Sequence, residues 1–197
     1  MLFKYIKKIE LIFSNLFSQI FAFILIILFI PIFIVISILI FLYDGKPIFY
    51  LSQRSGYLGK PFNLFKFRTM KDNNLDDNYR ITKLGKFLRR SSLDELPQLI
   101  NIFRGEMVFV GPRPLPSSIT NVGEFKRYFI KRSSVKPGLT GLSQAFSKGK
   151  PRKYAEKLVY DLLYLKKKSI FFDLFIILLT FKALKRRFVF NKSGLTL

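Results

Sequence analysis

In SSLDELPQL, residues Ser91 to Leu99, two carboxylates stand side by side, Asp94 and Glu95, in a chain of formal net charge +22. An ionised carboxylate can attack as a nucleophile, hold Mg²⁺, or cap a helix. The spacing Ser92-x-x-Glu95 matches a capping box with Asp94 in the favourable first turn, and on spacing alone capping outweighs catalysis. Pro97 favours a helix that starts near Asp94 or Glu95, because five positions into a helix its missing N–H costs a hydrogen bond. Either way Asp94 falls at a helix start, where free N–H groups favour the ionised form and attract phosphate.

The 197 residues include no His and no Cys. Imidazole bases, thiol nucleophiles, Cys/His zinc sites and disulfides are therefore excluded, which leaves carboxylates, hydroxyls, Lys, Arg and Tyr. In GEMVFVGPRP, Met107 to Val110 reads as a short apolar strand running into a Gly-Pro-Arg-Pro turn. Prolines on both sides of Arg113 restrict the backbone, so the guanidinium starts from a fixed base suited to a bidentate grip on phosphate. An ordinary exposed turn has the same composition. Lys66, Arg68, Arg89 and Arg90 are further cationic candidates. With 34 Lys+Arg against 12 Asp+Glu, the chain calls for an anionic partner: membrane, phosphates or nucleic acid.

The length suits about one domain, and the patterns predict an α/β chain that is mostly helical with a small sheet. Ile20 to Tyr43 carries no charge and is long enough for a membrane helix. It exceeds the apolar core of a signal peptide and lacks a small-residue cleavage site. Pro31, near its middle, predicts a kink. Lys4, Lys7 and Lys8 precede the run, and Lys46, Arg54 and Lys60 follow it. Basic flanks on both sides fit a re-entrant segment with both ends on the cytoplasmic side, and a kinked single span fits as well. The turn signal DGKP then divides a membrane-inserted anchor, 1–45, from a cytoplasmic domain, 46–197.

Within that domain, SQRSGYLGKPFNLFKFRTM predicts short extended pieces around Gly56 and Gly59, and KDNNLDDN predicts an exposed loop. Helices are expected over Ile81–Arg90, Leu93–Phe103, Val122–Lys131 and Ala155–Lys168, with KPGLTG as a loop. SIFFDLFIILLTFKALKRR has an apolar core too short to span comfortably and a basic end. It fits a helix lying in the membrane interface, with a buried core helix as the other reading.

Four motifs occur in order: KFRTM (Lys66–Met70), SLDELPQLINIFRGEM (Ser92–Met107), VGPRP (Val110–Pro114) and KPGLTGLSQ (Lys136–Gln144). Together with YDLLYLKKKSIFFDL, they resemble the bacterial sugar transferase family, the monotopic phosphoglycosyl transferases, in its minimal catalytic form. The likeness runs from about Phe17 to Lys185. It implies transfer of a sugar-1-phosphate from a UDP-sugar to polyprenyl phosphate, releasing UMP, as the first membrane step of bacterial glycan assembly. On that likeness Asp94 is the nucleophile that carries the phosphosugar, and Glu95 binds Mg²⁺. Lys66, Arg89 and Arg113 match cationic positions that neutralise phosphate, and Arg68 and Gln144 fall in the same motifs as substrate-binding positions. The location implied is the cytoplasmic face of the inner membrane, with an anionic leaflet and no nucleic acid as partner. Ile30 precedes Pro31 where the family often has Ser, so the bend at Pro31 rests on the proline and the flanking charges. The contrasting reading is a membrane-anchored basic adaptor that binds lipid or nucleic acid without catalysis. No short motif fixes the sugar.

Overall fold

The computed structural model describes residues 2–71, 77–117, 126–146 and 154–190, with side chains described for 15–71, 79–117, 126–146 and 155–185. Most of the KDNNLDDN loop and the first residues of the helix expected from Val122 fall outside these segments. The chain is mostly helical with a small sheet, as its patterns predict.

The apolar run lies within α1, a single helix from Leu2 to Asp44 with Pro31 inside it. Its stretch Asn15–Asp44 is long and apolar enough to cross a membrane. The helix is two-faced despite its uniform composition. Ala22, Phe29, Phe33, Ile36 and Ile40 recur at helical spacing and pack against the rest of the chain. Leu28, Val35 and Leu42, spaced by seven on the other side, are 65%, 55% and 69% exposed. An apolar stripe of that extent in water is costly, so this face calls for an apolar cover.

The glycine-marked extended pieces form a hairpin. Strand β1 (Phe49–Ser55) pairs antiparallel with β2 (Pro61–Phe67), and β4 (Leu115–Pro116) adds to the other edge of β1. Beyond a short helix, α2 (Asp77–Arg80), Thr82 caps α3 (Lys83–Ser91) by accepting from the Gly85 N–H at 2.8 Å. The Thr82 hydroxyl also donates to Asp44 at 2.9 Å, which ties the start of α3 to the end of α1. Helix α4 (Gln98–Phe103) lies against α1, with Leu99 and Ile102 in the core beside Ala22 and Leu64.

Strand β3 (Val108–Val110) is where the apolar pattern places it. Its partner was not foreseen. Gly138–Thr140, inside the expected KPGLTG loop, forms β5 and pairs parallel to β3. A Cβ on Gly138 would come within 2.1 Å of the Gly111 nitrogen. Glycine is therefore required there for the two backbones to meet.

Helices α5 (Lys126–Arg132), α6 (Leu142–Ala145) and α7 (Tyr154–Lys167) complete this side, and α8 (Ile170–Phe190) runs across it. Ile176 of α8 is fully buried in a cluster with Val110, Leu142 and Tyr164. Phe171, Leu174, Leu178 and Phe181, at spacings of three and four, are exposed. One face of α8 is thus core, and the other is apolar and uncovered.

Candidate active site

Asp94 and Glu95 fall in a single 3₁₀ turn, Leu93–Glu95, wedged between α3 and α4. Ser92, the last residue before it, is left-handed (φ 58°), which reverses the chain sharply. The capping-box geometry does not form. Ser92 makes no side-chain cap bond, and α4 starts at Gln98 with Pro97 at its N-cap, where a missing N–H costs nothing. The carboxylate that would have closed the box is spent elsewhere.

Glu95 Oε1 accepts from Lys66 Nζ at 2.8 Å and from Arg113 Nη2 at 2.9 Å. Lys66 comes from the end of β2, paired with Tyr50, and Arg113 from the Gly-Pro-Arg-Pro turn after β3. Asp94 is more buried, 7% exposed, and less well partnered. Among the described residues its one cation within 4 Å is Lys66, at 3.8 Å.

The two acids therefore titrate apart. Burial raises the Asp94 pKa, and the adjacent Glu95 charge adds to the rise, against the pull of Lys66, Arg89 and Arg113. Burial also raises Glu95, but the Arg113 and Lys66 charges outweigh it and hold that carboxyl at about 2. One acid is a fixed anion tied to two cations; the other is buried, with Lys66 near it at 3.8 Å.

Both face a cleft of about 2640 Å³. A typical small-molecule site occupies ~300–1,000 Å³, so the cleft has room for more than a nucleotide-sugar. Its polar end holds Asp94, Glu95, Lys66, Arg89 and Arg113, and its apolar walls come from Phe21 and Leu25 of α1 and from Phe171 and Leu174 of α8. Arg89 is oriented by donating to Thr69 Oγ1 at 2.8 Å. Gln144 lines the cleft and donates to the Leu139 carbonyl at 3.2 Å. Arg68 lines it too, but its guanidinium donates to the carbonyls of Asp44, Gly45 and Lys46. There it meets the negative end of the α1 dipole, an anchoring contact between helix and hairpin.

Sequence reasoning did not single out Thr69, Arg132 or Lys136. Thr69 stands inside KFRTM, and Lys136, which also lines the cleft, opens KPGLTG. Arg132 has no motif signal; its partner Asp161 is 29 residues away.

The carboxylates suit Mg²⁺ in one mode only. That ion commonly takes one or two carboxylates and completes its shell with substrate phosphates and water. Among the described residues no group of three or more acidic side chains is placed to hold a metal. Lys66 and Arg113 both bind Glu95 through Oε1, which leaves Oε2 outside those contacts, so the donor set fits a metal shared with a diphosphate.

Fold and cleft together define a small, mostly helical chain whose acidic dyad is set among cations beside an exposed apolar helix. The sequence profile of the bacterial sugar transferase family matches residues 9–187, and the chain belongs to that family. It is 41% identical over 142 residues to the uncharacterized sugar transferase EpsL of Bacillus subtilis, covering 69% of each chain. With the exopolysaccharide production protein ExoY of Sinorhizobium fredii it shares 37% over 168 residues, 74% of this chain and 73% of that one. With the UDP-glucose:undecaprenyl-phosphate glucose-1-phosphate transferase of Klebsiella pneumoniae it shares 40% over 149 residues, 68% of this chain but 32% of that longer protein.

Proposed function

We propose that this chain is a phosphoglycosyl transferase that moves a sugar-1-phosphate from a UDP-sugar to polyprenyl phosphate and releases UMP. The observation that carries the reading is the unequal pair: buried, sparsely partnered Asp94 beside Glu95, which is locked to Lys66 and Arg113, at the polar end of an apolar cleft. A Klebsiella relative named for undecaprenyl-phosphate and UDP-glucose supports the substrate class.

In this mechanism an Asp94 carboxylate oxygen attacks the β-phosphorus of the UDP-sugar. The bond to the bridging oxygen breaks, and UMP leaves with the electron pair. The resulting aspartyl-phosphosugar is then attacked by an oxygen of polyprenyl phosphate, which frees the carboxylate and forms the polyprenyl diphosphate-sugar. Splitting one displacement into two needs no imidazole or thiol. Lys66, Arg89 and Arg113 stand where negative charge accumulates and lower its cost. Glu95, with the diphosphate, would hold Mg²⁺, which when bound supplies further neutralisation of the phosphates. Brief incubation with a UDP-sugar panel in the absence of lipid acceptor, followed by peptide mass spectrometry, tests this: a phosphohexose on the Asp94 peptide is expected. Its absence alongside normal turnover would mean direct attack by the lipid phosphate.

The same reading places residues 1–45 as a re-entrant anchor bent at Pro31 and 46–197 on the cytoplasmic face of the inner membrane. The exposed apolar faces of α1 and α8 and the basic surplus support that placement. Because the chain has no native Cys, Lys4→Cys gives a single label site. Labelling only after the cells are permeabilised is expected, and labelling of intact cells would establish a full span instead.

A further inference from the structure

The turn that carries Arg113 is gripped from its outer side. Asp161 and Tyr164 lie three residues apart on one face of α7, both nearly inaccessible. The Tyr164 hydroxyl donates to the Val110 carbonyl at 3.0 Å, immediately before the turn. Asp161 Oδ2 accepts from Arg132 Nε at 2.9 Å and lies 2.8 Å from its Nη2, and that Nη2 also donates to the Arg113 carbonyl at 2.6 Å. Arg113 itself reaches Glu95 with a side chain that is 40% exposed. So open a side chain takes its direction from its backbone, and that backbone hangs from α7 at both Val110 and Arg113.

We propose that Asp161, acting through Arg132, and Tyr164 are positioning residues for Arg113, holding its turn so that the guanidinium faces Glu95 and the phosphate bound beside it. This rests on the reading of the cleft as a nucleotide-sugar site. The grip extends to α8: the same Tyr164 hydroxyl lies 2.9 Å from Asp173 Oδ1. One hydroxyl has one proton. That proton is shared between the Val110 carbonyl and the Asp173 carboxylate, so the one hydroxyl links the turn to α8. The seating of the helix with the exposed apolar face thereby bears on the aim of Arg113.

Binding of UDP with Mg²⁺ to the full-length detergent-solubilised protein, measured by calorimetry, tests the proposal in two backgrounds. Tyr164→Phe removes one oxygen and keeps the ring; it is expected to weaken UDP binding roughly 3- to 10-fold, the effect of one lost hydrogen bond. In an Arg113→Ala background the same substitution is expected to change affinity by less than about 2-fold, because coupled residues are not additive. Asp161→Asn should behave alike, and if it does not fold, Tyr164→Phe decides alone. Equal weakening in both backgrounds, no weakening in either, or an Arg113→Ala protein that binds UDP like wild type would each overturn the positioning role. Failure of the wider reading looks different: a wild-type protein blind to UDP, which removes both, or Asp94→Asn that still releases UMP, which removes the covalent mechanism only.

Discussion

Two arginine–carboxylate contacts of almost equal length lie on either side of the Arg113 turn. Arg113 meets Glu95 at 2.9 Å with side chains 40% and 19% exposed, and Arg132 meets Asp161 at 2.8 Å with side chains 6% and 4% exposed. Length does not separate them; access does. The sealed pair has no room to exchange partners, and its two charges satisfy each other and a carbonyl. The open pair borders the cleft, where an arriving phosphate can compete for the same guanidinium. Glu95 also shares Lys66, so the cleft anion keeps a partner when Arg113 turns to substrate. One pair is framework, and the other is a charge array assembled before substrate arrives.

That division can be broken first at Asp94. Asp94→Asn keeps the shape and removes the proposed nucleophile, so UMP release is expected to fall at least ~1,000-fold, as for loss of a covalent nucleophile. Burial raises the pKa of this carboxyl, so its charge at neutral pH opposes folding. The same variant should therefore melt no lower than wild type. An inactive variant that also melts early would place Asp94 in the framework instead.

Glu95→Ala is the next largest. Loss of an anion that orients two cations and fits a metal is expected to cost roughly 100-fold in turnover, with a weakened response to added Mg²⁺. Titrating Mg²⁺ against both proteins checks it, and an unchanged metal response removes Glu95 from the metal site. The contrast lies in Arg132→Ala, which strands the buried Asp161 charge. There the expected loss is in stability, about 3–5 kcal/mol by the general cost of breaking a buried pair. Thermal unfolding of the two variants should rank them oppositely to their rates.

The open array was far more legible in the sequence than the sealed one. Lys66, Asp94, Glu95 and Arg113 each stand in a short motif, and the structure brings all four together. Helix α1, the extended pieces of β1 and β2, α3 and α7 followed from composition, glycine spacing and apolar period. What local pattern could not show is what distant segments decide. The KPGLTG segment reads as a loop until β3 supplies its partner, and the close approach of Gly111 and Gly138 is a fact of two backbones. Arg132 and Asp161 are 29 residues apart and invisible to any helical or strand period. Arg68 illustrates the converse: a cation in the right motif whose guanidinium goes to the end of α1, because the helix terminus offers it carbonyls.

The smallest effect, and the sharpest separation of the two acids, lies in acid solution. Glu95 has a depressed folded-state pKa, so its contribution to stability is present above the unfolded value and is lost only as pH falls toward about 2. Asp94 is raised, mainly by burial, so acidification protonates it first and relieves its cost to the fold. Asp161, raised by burial as well, behaves in the same sense. In the proposed mechanism turnover requires ionised Asp94, so on lowering the pH activity should fail above the range of an exposed aspartate, ~3.9, while the fold persists. Rate and melting temperature followed across the same pH series should part company in that order. Lys66 is the cation that most favours ionised Asp94, so Lys66→Met should move the acid limb of the rate further up. A limb that stays in place would mean that the acid governing the rate is not the one beside Lys66.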